Sequence, residues 1–242
     1  MSRATHAISA TSVARRSTGL LTLALVAIVL ASDIGAHGVS GKDAVFLQSL
    51  RGAAVGPLMY LGAKHMVTGY DHLAFLVGVI FFLYRLKDVV QYVSLFTVGH
   101  SVTLLAGVLG GVRANSYLVD AIIGLSVVYK AFDNIDGFRL FFGAQPDTRA
   151  AVLVFGFFHG FGLATKLQDF ALSANGLVVN IISFNIGVEI GQVIALTAVL
   201  AVLTWWRSRP GFLRHAVVTN GVLMAIGFLL VGYQLSAYFL NV

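Results

Sequence analysis

The chain has 242 residues, of which 58% are hydrophobic and only 11% are charged, and its apolar residues are gathered in several long blocks. These blocks run past ten residues without alternating polarity, so they argue against strands and predict an all-α, polytopic membrane helix bundle. The net charge of +6 is scattered over connections and helix ends, so nucleic acid is not an expected partner; without cysteine, disulfides, thiolate metal ligands and thiol catalysis are excluded.

Residues 1–36 have the pattern of a secretory signal peptide. A positively charged start precedes an apolar stretch at 20–31, which is too short to span a membrane, and small residues up to Ala36 follow it. An uncleaved signal anchor is the alternative interpretation. Cleavage after Ala36 would leave His37 at the new N-terminus, and we regard its amine and imidazole as a speculative metal-binding pair.

Residues 37–64 are less uniformly apolar and are expected to form an outward-facing or interfacial segment, followed by a transmembrane domain at 65–242. About six transmembrane helices are predicted there, because the apolar blocks reach membrane-spanning length. Basic residues prevail in the connections that this topology places inside, so we expect the processed N-terminus outside, in a bacterial inner (plasma) membrane. The approximate spans are 66–84, 89–109, 117–135, 150–167, 177–206 and 216–240.

The first span opens with His65, Asp71 and His72. Ionisable side chains are costly in a membrane, so each of the three is a candidate functional residue. On a continuous helix the two histidines would share a face, but they would lie about 10 Å apart along the axis. Gly69 lies between them and is a supporting residue, because a break there would shorten the gap and broken helices at membrane depth often bind ions.

Two later spans each carry a histidine near the middle, His100 in the second and His159 in the fourth. Each histidine follows a phenylalanine by four residues, and the two helices are predicted to run in the same direction. Thr97 and Thr103 lie near His100 and are predicted to support it as hydroxyl partners. Histidines on separate helices are more simply explained by one shared ion than by independent structural roles.

The fifth span adds Glu189, the only glutamate of the chain, with Asn185 and Gln192 on the same helix face as supporting residues. Asp120 in the third span is a further, speculative candidate. Nickel, cobalt, zinc and iron in their divalent forms favour a mixture of imidazole and carboxylate ligands, so we predict a site for such an ion. Its predicted ligands are His65, Asp71, His72, His100, His159 and Glu189.

The spacing of His65, Gly69, Asp71 and His72 resembles the first motif of the HupE/UreJ family of membrane proteins, in which three residues separate His from Gly and one separates Gly from Asp-His. The resemblance continues through 96–104 and 155–164. It implies a nickel or cobalt permease, often associated with hydrogenase or urease maturation, in which His65, Asp71 and His72 are the motif ligands. Many members carry proline after the first histidine, where this chain has Met66.

Three functions agree with these residues, and the bilayer and a metal ion are the expected partners of each. The preferred one is membrane transport of a divalent transition metal ion, because weak ligand sets at successive depths allow an ion to bind and to leave. The second is an intramembrane metal-dependent hydrolase, in which three protein ligands leave a position for water. The third is a metal-delivery or assembly partner of a membrane, hydrogenase or urease maturation system. No catalytic nucleophile is predicted.

Overall fold

A computed structural model describes residues 52–168 and 175–240, and within these ranges the chain forms helices without strands. The predicted signal peptide and His37 lie outside the described residues. The helices are α1 (Val55–Thr68), α2 (Tyr70–Ile80), α3 (Leu86–Leu109), α4 (Ser116–Asn134), α5 (Gly137–Phe142), α6 (Thr148–Gln168), α7 (Leu177–Arg207) and α8 (Phe212–Leu240).

Four of these helices, α3, α6, α7 and α8, are long and apolar enough to cross a membrane. Their presence confirms the prediction of an all-helical membrane protein. Helix α4 has a comparable length of 19 residues, but it carries Asp120, Lys130 and Asp133 as buried side chains. Its charges therefore face the protein interior rather than lipid, where they would lack partners.

The first span differs from the prediction of one helix at 66–84. Helix α1 already begins at Val55, and Gly69 interrupts the helix with φ −72° and ψ 99° before α2 starts at Tyr70. Hydrogen bonds continue across the interruption, from the Gly69 N–H to the His65 carbonyl (2.8 Å) and from the Leu73 N–H to the Gly69 carbonyl (3.0 Å). The result is a kinked pair of helices whose junction lies within the predicted motif.

Helices α1 and α2 run beside α7 in the same direction along its whole length. At one end, the Asn180 side chain accepts a hydrogen bond from the Ala54 N–H (2.8 Å) and donates one to the Gly52 carbonyl (2.9 Å). At the other end, the Arg207 guanidinium donates to three carbonyls that follow or end α2, those of Ile80, Phe81 and Leu83. Carbonyls at a helix C-terminus have no partner inside the helix, so a cation is well placed there.

Replacing Arg207 with methionine is expected to lower the free energy of unfolding by about 1–3 kcal/mol, because the C-terminal carbonyls of α2 lose a charged donor. Thermal unfolding in detergent measures this effect. Arg209→Met is the matched control, since Arg209 is exposed and its guanidinium lies over the Trp205 ring at 4.9 Å. Equal destabilisation by both substitutions would contradict a special role for the Arg207 cap.

Helices α3 and α6 pack in parallel at very close range, as the sequence predicted for their direction. A Cβ atom at Gly156 would lie 2.5 Å from the Phe96 carbonyl oxygen, and one at Gly160 would overlap the His100 carbonyl oxygen. Glycines four residues apart let two membrane helices touch backbone to backbone. This contact brings the middle of α6, with His159, next to the middle of α3.

Candidate metal centre

The centre is formed by three buried side chains, Asp71 and His72 from α2 and His159 from α6. Each offers one ligand atom, and these atoms all lie within 4.8 Å of one another. The exposed fractions of the three residues are 2%, 4% and 1%, so bulk water does not solvate them. Two imidazoles and a carboxylate within this distance form a donor set that divalent transition metals bind.

The tautomer of His72 follows from its neighbour. Its Nδ1 lies 3.1 Å from the Asp71 Oδ1 atom. Because a carboxylate oxygen accepts, Nδ1 of the neutral ring carries the proton and Nε2 carries the lone pair. The Nε2 atom is buried and has no hydrogen-bond partner among the described residues. A carboxylate that orients a histidine in this way is a common feature of metal sites.

His159 has the same tautomer for a different reason. Its Nδ1 lies 2.7 Å from the carbonyl oxygen of Phe155, one helical turn earlier. A carbonyl only accepts, so the proton of the neutral ring is on Nδ1 and the lone pair is on the buried Nε2 atom. Both histidines of the centre therefore carry the proton on Nδ1 and the lone pair on Nε2.

His65 and His100 lie in a second layer around His72. The centroid of the His72 ring is 5.0 Å from that of His65, 4.9 Å from that of His159 and 6.2 Å from that of His100. A continuous helix would hold the backbones of His65 and His72 about 10 Å apart along its axis, and here Gly69 interrupts the helix between them. The sequence-predicted histidines thus gather around one imidazole, although the group with closely spaced ligand atoms contains only His72 and His159.

The predicted supporting residues link helices near the centre. The Thr103 hydroxyl donates to the Phe157 carbonyl at 2.8 Å and so joins α3 to α6. Thr97 donates to the Gln192 side chain at 3.2 Å, and the Asn185 amide donates to the Ser101 hydroxyl at 2.9 Å, so both pairs join α3 to α7. These contacts hold the helices that carry the centre.

Besides His65 and His100, the predicted ligand Glu189 and the further candidate Asp120 also lie outside the group. Glu189 is exposed on the surface of α7, beside Ile186 and Ile190, which are also exposed. Asp120 is buried and pairs with Lys166, whose Nζ atom lies 2.7 Å from its Oδ2 atom. Lys166 was not among the residues predicted for the site, although a lysine within one apolar block and an aspartate within another are a signal for such a pair.

Two pockets meet at His72. The first extends toward the end of the bundle where α4 begins and α6 ends, and its polar lining consists of His65, Asp71, His72, Asp120, His159 and Lys166. The second extends toward the end that carries Arg207, and most of its lining is apolar, including Met66, Phe75, Leu76, Val79, Phe96 and Val152. His72 therefore separates a polar compartment from an apolar one.

Phenylalanine rings cover the centre on the apolar side. The rings of Phe75 and Phe96 lie 5.3 Å and 5.0 Å from the His159 ring, measured between centroids, and 5.4 Å from each other. Such rings exclude water and strengthen electrostatic interactions at the centre. The sequence shows that Phe96 precedes His100 by four residues, but the contact of Phe96 with His159 depends on the packing of α3 against α6.

Comparison with known protein families shows which family the chain belongs to. The family described as HupE / UreJ protein matches residues 41–242, which is most of the chain. No curated protein and no solved structure matches it. The match includes the kinked helix pair, the buried histidines and the four long apolar helices. The chain therefore belongs to the HupE/UreJ family and is an integral membrane protein.

Proposed function

We propose that this protein transports a divalent transition metal ion, nickel or cobalt, across the membrane through the centre formed by Asp71, His72 and His159. The observation that carries the proposal is the buried donor set, in which two imidazole Nε2 atoms with lone pairs adjoin a carboxylate between two pockets. The expectation drawn from the family resemblance favours nickel or cobalt. Zinc and iron are also compatible with these ligands.

The topology that we propose has six membrane crossings after a cleaved signal peptide. Four are the long apolar helices, the fifth is α4, and the sixth is the kinked pair α1–α2. The kinked pair supports this count because it extends beside α7 from Asn180 to Arg207, the length of a spanning helix. Basic residues at the end that carries Arg207 favour this end as the inside, with the processed N-terminus outside.

In this orientation the polar pocket opens toward the outside, and the apolar pocket lies toward the inside. An arriving ion exchanges water for Asp71, His72 and His159, while His65 and His100 provide further imidazoles nearby. A donor set of three leaves coordination positions open, so binding remains reversible, as transport requires. A hydrolytic centre would also use three ligands, but it would retain its ion.

The test uses the purified protein in liposomes that enclose a dye sensitive to nickel or cobalt. We expect ion flux well above that of vesicles without protein, and we expect His159→Ala to reduce it to the level of those vesicles. His215→Ala is the matched control, because His215 lies near the start of α8 and outside the centre. An unchanged flux in His159→Ala, or no flux with the wild-type protein, would refute transport through this centre.

A further inference from the structure

In the ion pair of Asp120 and Lys166, one ammonium group contacts both oxygens of a buried carboxylate. The Lys166 Nζ atom lies 3.0 Å from Oδ1 and 2.7 Å from Oδ2 of Asp120, and the Gln234 amide reaches Oδ2 at 3.5 Å. The side chain of Asp120 is 6% exposed, whereas that of Lys166 is 16% exposed. One ammonium group therefore occupies a carboxylate that could otherwise bind a metal ion.

This pair lies in the same pocket as the metal centre. Asp120 and Lys166 line the polar pocket together with Asp71, His72 and His159. Asp120 comes one turn after the start of α4, and Lys166 comes close to the end of α6, so both are on the side of the centre nearest that end of the bundle. A cation that approaches from there meets the pair as well as the three ligands.

The charges in the pocket explain how an ion and Lys166 interact. With neutral histidines, Asp71 offers one negative charge to a divalent ion, and the Asp120–Lys166 pair adds no net charge. A bound ion would therefore share a poorly solvated pocket with an ammonium group of the same sign, and like charges at short range repel strongly there. If Asp120 exchanges Lys166 for the ion, two carboxylates balance its two charges.

The two side chains differ in their ability to move. Lysine has a flexible four-carbon stem, and the partial exposure of Lys166 gives its ammonium group a route toward water near the helix end. Asp120 has a short side chain and is fixed to the buried face of α4. The pair can therefore open by movement of the lysine. Coordination of the ion then requires Asp120 to approach the centre, because Asp120 lies outside the group of closely spaced ligand atoms.

We propose that Asp120 is a second carboxylate ligand for the divalent ion, and that Lys166 is a built-in competitor that occupies it when the ion is absent. The ion displaces the ammonium group from Asp120, and return of the ammonium group favours release of the ion. This inference rests on the proposed function and adds a regulation of its affinity. It also accounts for a lysine beside a cation site.

The test measures the dissociation constant of nickel or cobalt by calorimetry on the purified full-length protein. Lys166→Met is expected to tighten binding by about tenfold and Asp120→Asn to weaken it by about tenfold, since each changes one charge near the ion. Lys166→Arg keeps the cation and is expected to bind with nearly wild-type affinity. If the pair only joined α4 to α6, no single substitution would tighten binding, and that result would overturn the proposal.

The double variant separates displacement from a general effect of charge. In the Asp120→Asn background, Lys166→Met is expected to tighten binding much less, because the carboxylate that it would release is gone. Equal tightening in both backgrounds would refute Asp120 as a ligand. Failure of the proposed function is measured separately: the wild-type protein in liposomes would then give no ion flux, whatever the Lys166 variants do to the dissociation constant.

Discussion

Replacing His72 with alanine is expected to weaken metal binding by more than about 100-fold, and Asp71→Asn is expected to weaken it by about 10–100-fold. His72 provides the lone pair at the meeting point of the two pockets, since it is the histidine that lines both of them. Asparagine at 71 keeps an oxygen that can accept from the His72 ring but loses the negative charge. Equilibrium dialysis followed by elemental analysis measures both effects.

His215→Ala serves as the control for general effects of removing a histidine, and its metal content is expected to equal that of the wild type. The relative loss of metal binding in His72→Ala and Asp71→Asn is a second test. If Asp71→Asn reduced binding more than His72→Ala, the carboxylate would be the main ligand, and the assignment of His72 as the central one would be wrong. Unfolding temperatures of the ion-free variants exclude a loss of fold as the cause.

Replacing Gly160 with alanine is expected to have a large effect although it adds a single methyl group. The new Cβ would overlap the His100 carbonyl oxygen, so α3 and α6 would have to separate. Overpacking of a well-packed interior costs about 1–3 kcal/mol, and here the obstacle is backbone, which yields less than a side chain. We expect a lower unfolding temperature together with weaker metal binding, because α6 carries His159.

Gly221→Ala is the matched control for this substitution. Gly221 is also within a long apolar helix, α8, but a Cβ there meets nothing within 4 Å. Alanine has the higher helix propensity, so this variant is expected to be at least as stable as the wild type. If Gly160→Ala behaved like Gly221→Ala, close contact of α3 and α6 would not be needed for the centre.

A membrane limits where charged and imidazole groups can be, so the sequence alone indicates which residue types are candidates for a shared site. Asp71 and His72 are adjacent and His159 is far from them along the chain, yet the three meet in one buried group. The sequence does not determine whether the helix is interrupted at Gly69, since glycine is compatible with both a continuous and an interrupted helix. The distance between His65 and His72 depends on whether the helix is continuous at Gly69.

The position of Glu189 shows what the sequence could not predict. It shares a helix face with Asn185, which is buried, yet Glu189 itself is exposed. Apolar residues occupy every side of α7, so the few polar ones do not indicate which side faces protein and which faces lipid. The rotation of α7 is fixed instead by contacts with other helices, such as the bond from Asn185 to Ser101 on α3.

The attachments of α7 divide the ligands between two structural units. Asn180 and Arg207 attach the kinked pair α1–α2 to α7 at both ends. Asp71 and His72 therefore belong to the unit that α1, α2 and α7 form. His159 belongs to the second unit, in which α6 packs against α3 through backbone contact. An ion bound by Asp71, His72 and His159 would therefore bridge the two units, in addition to the two hydrogen bonds that join α3 to α7.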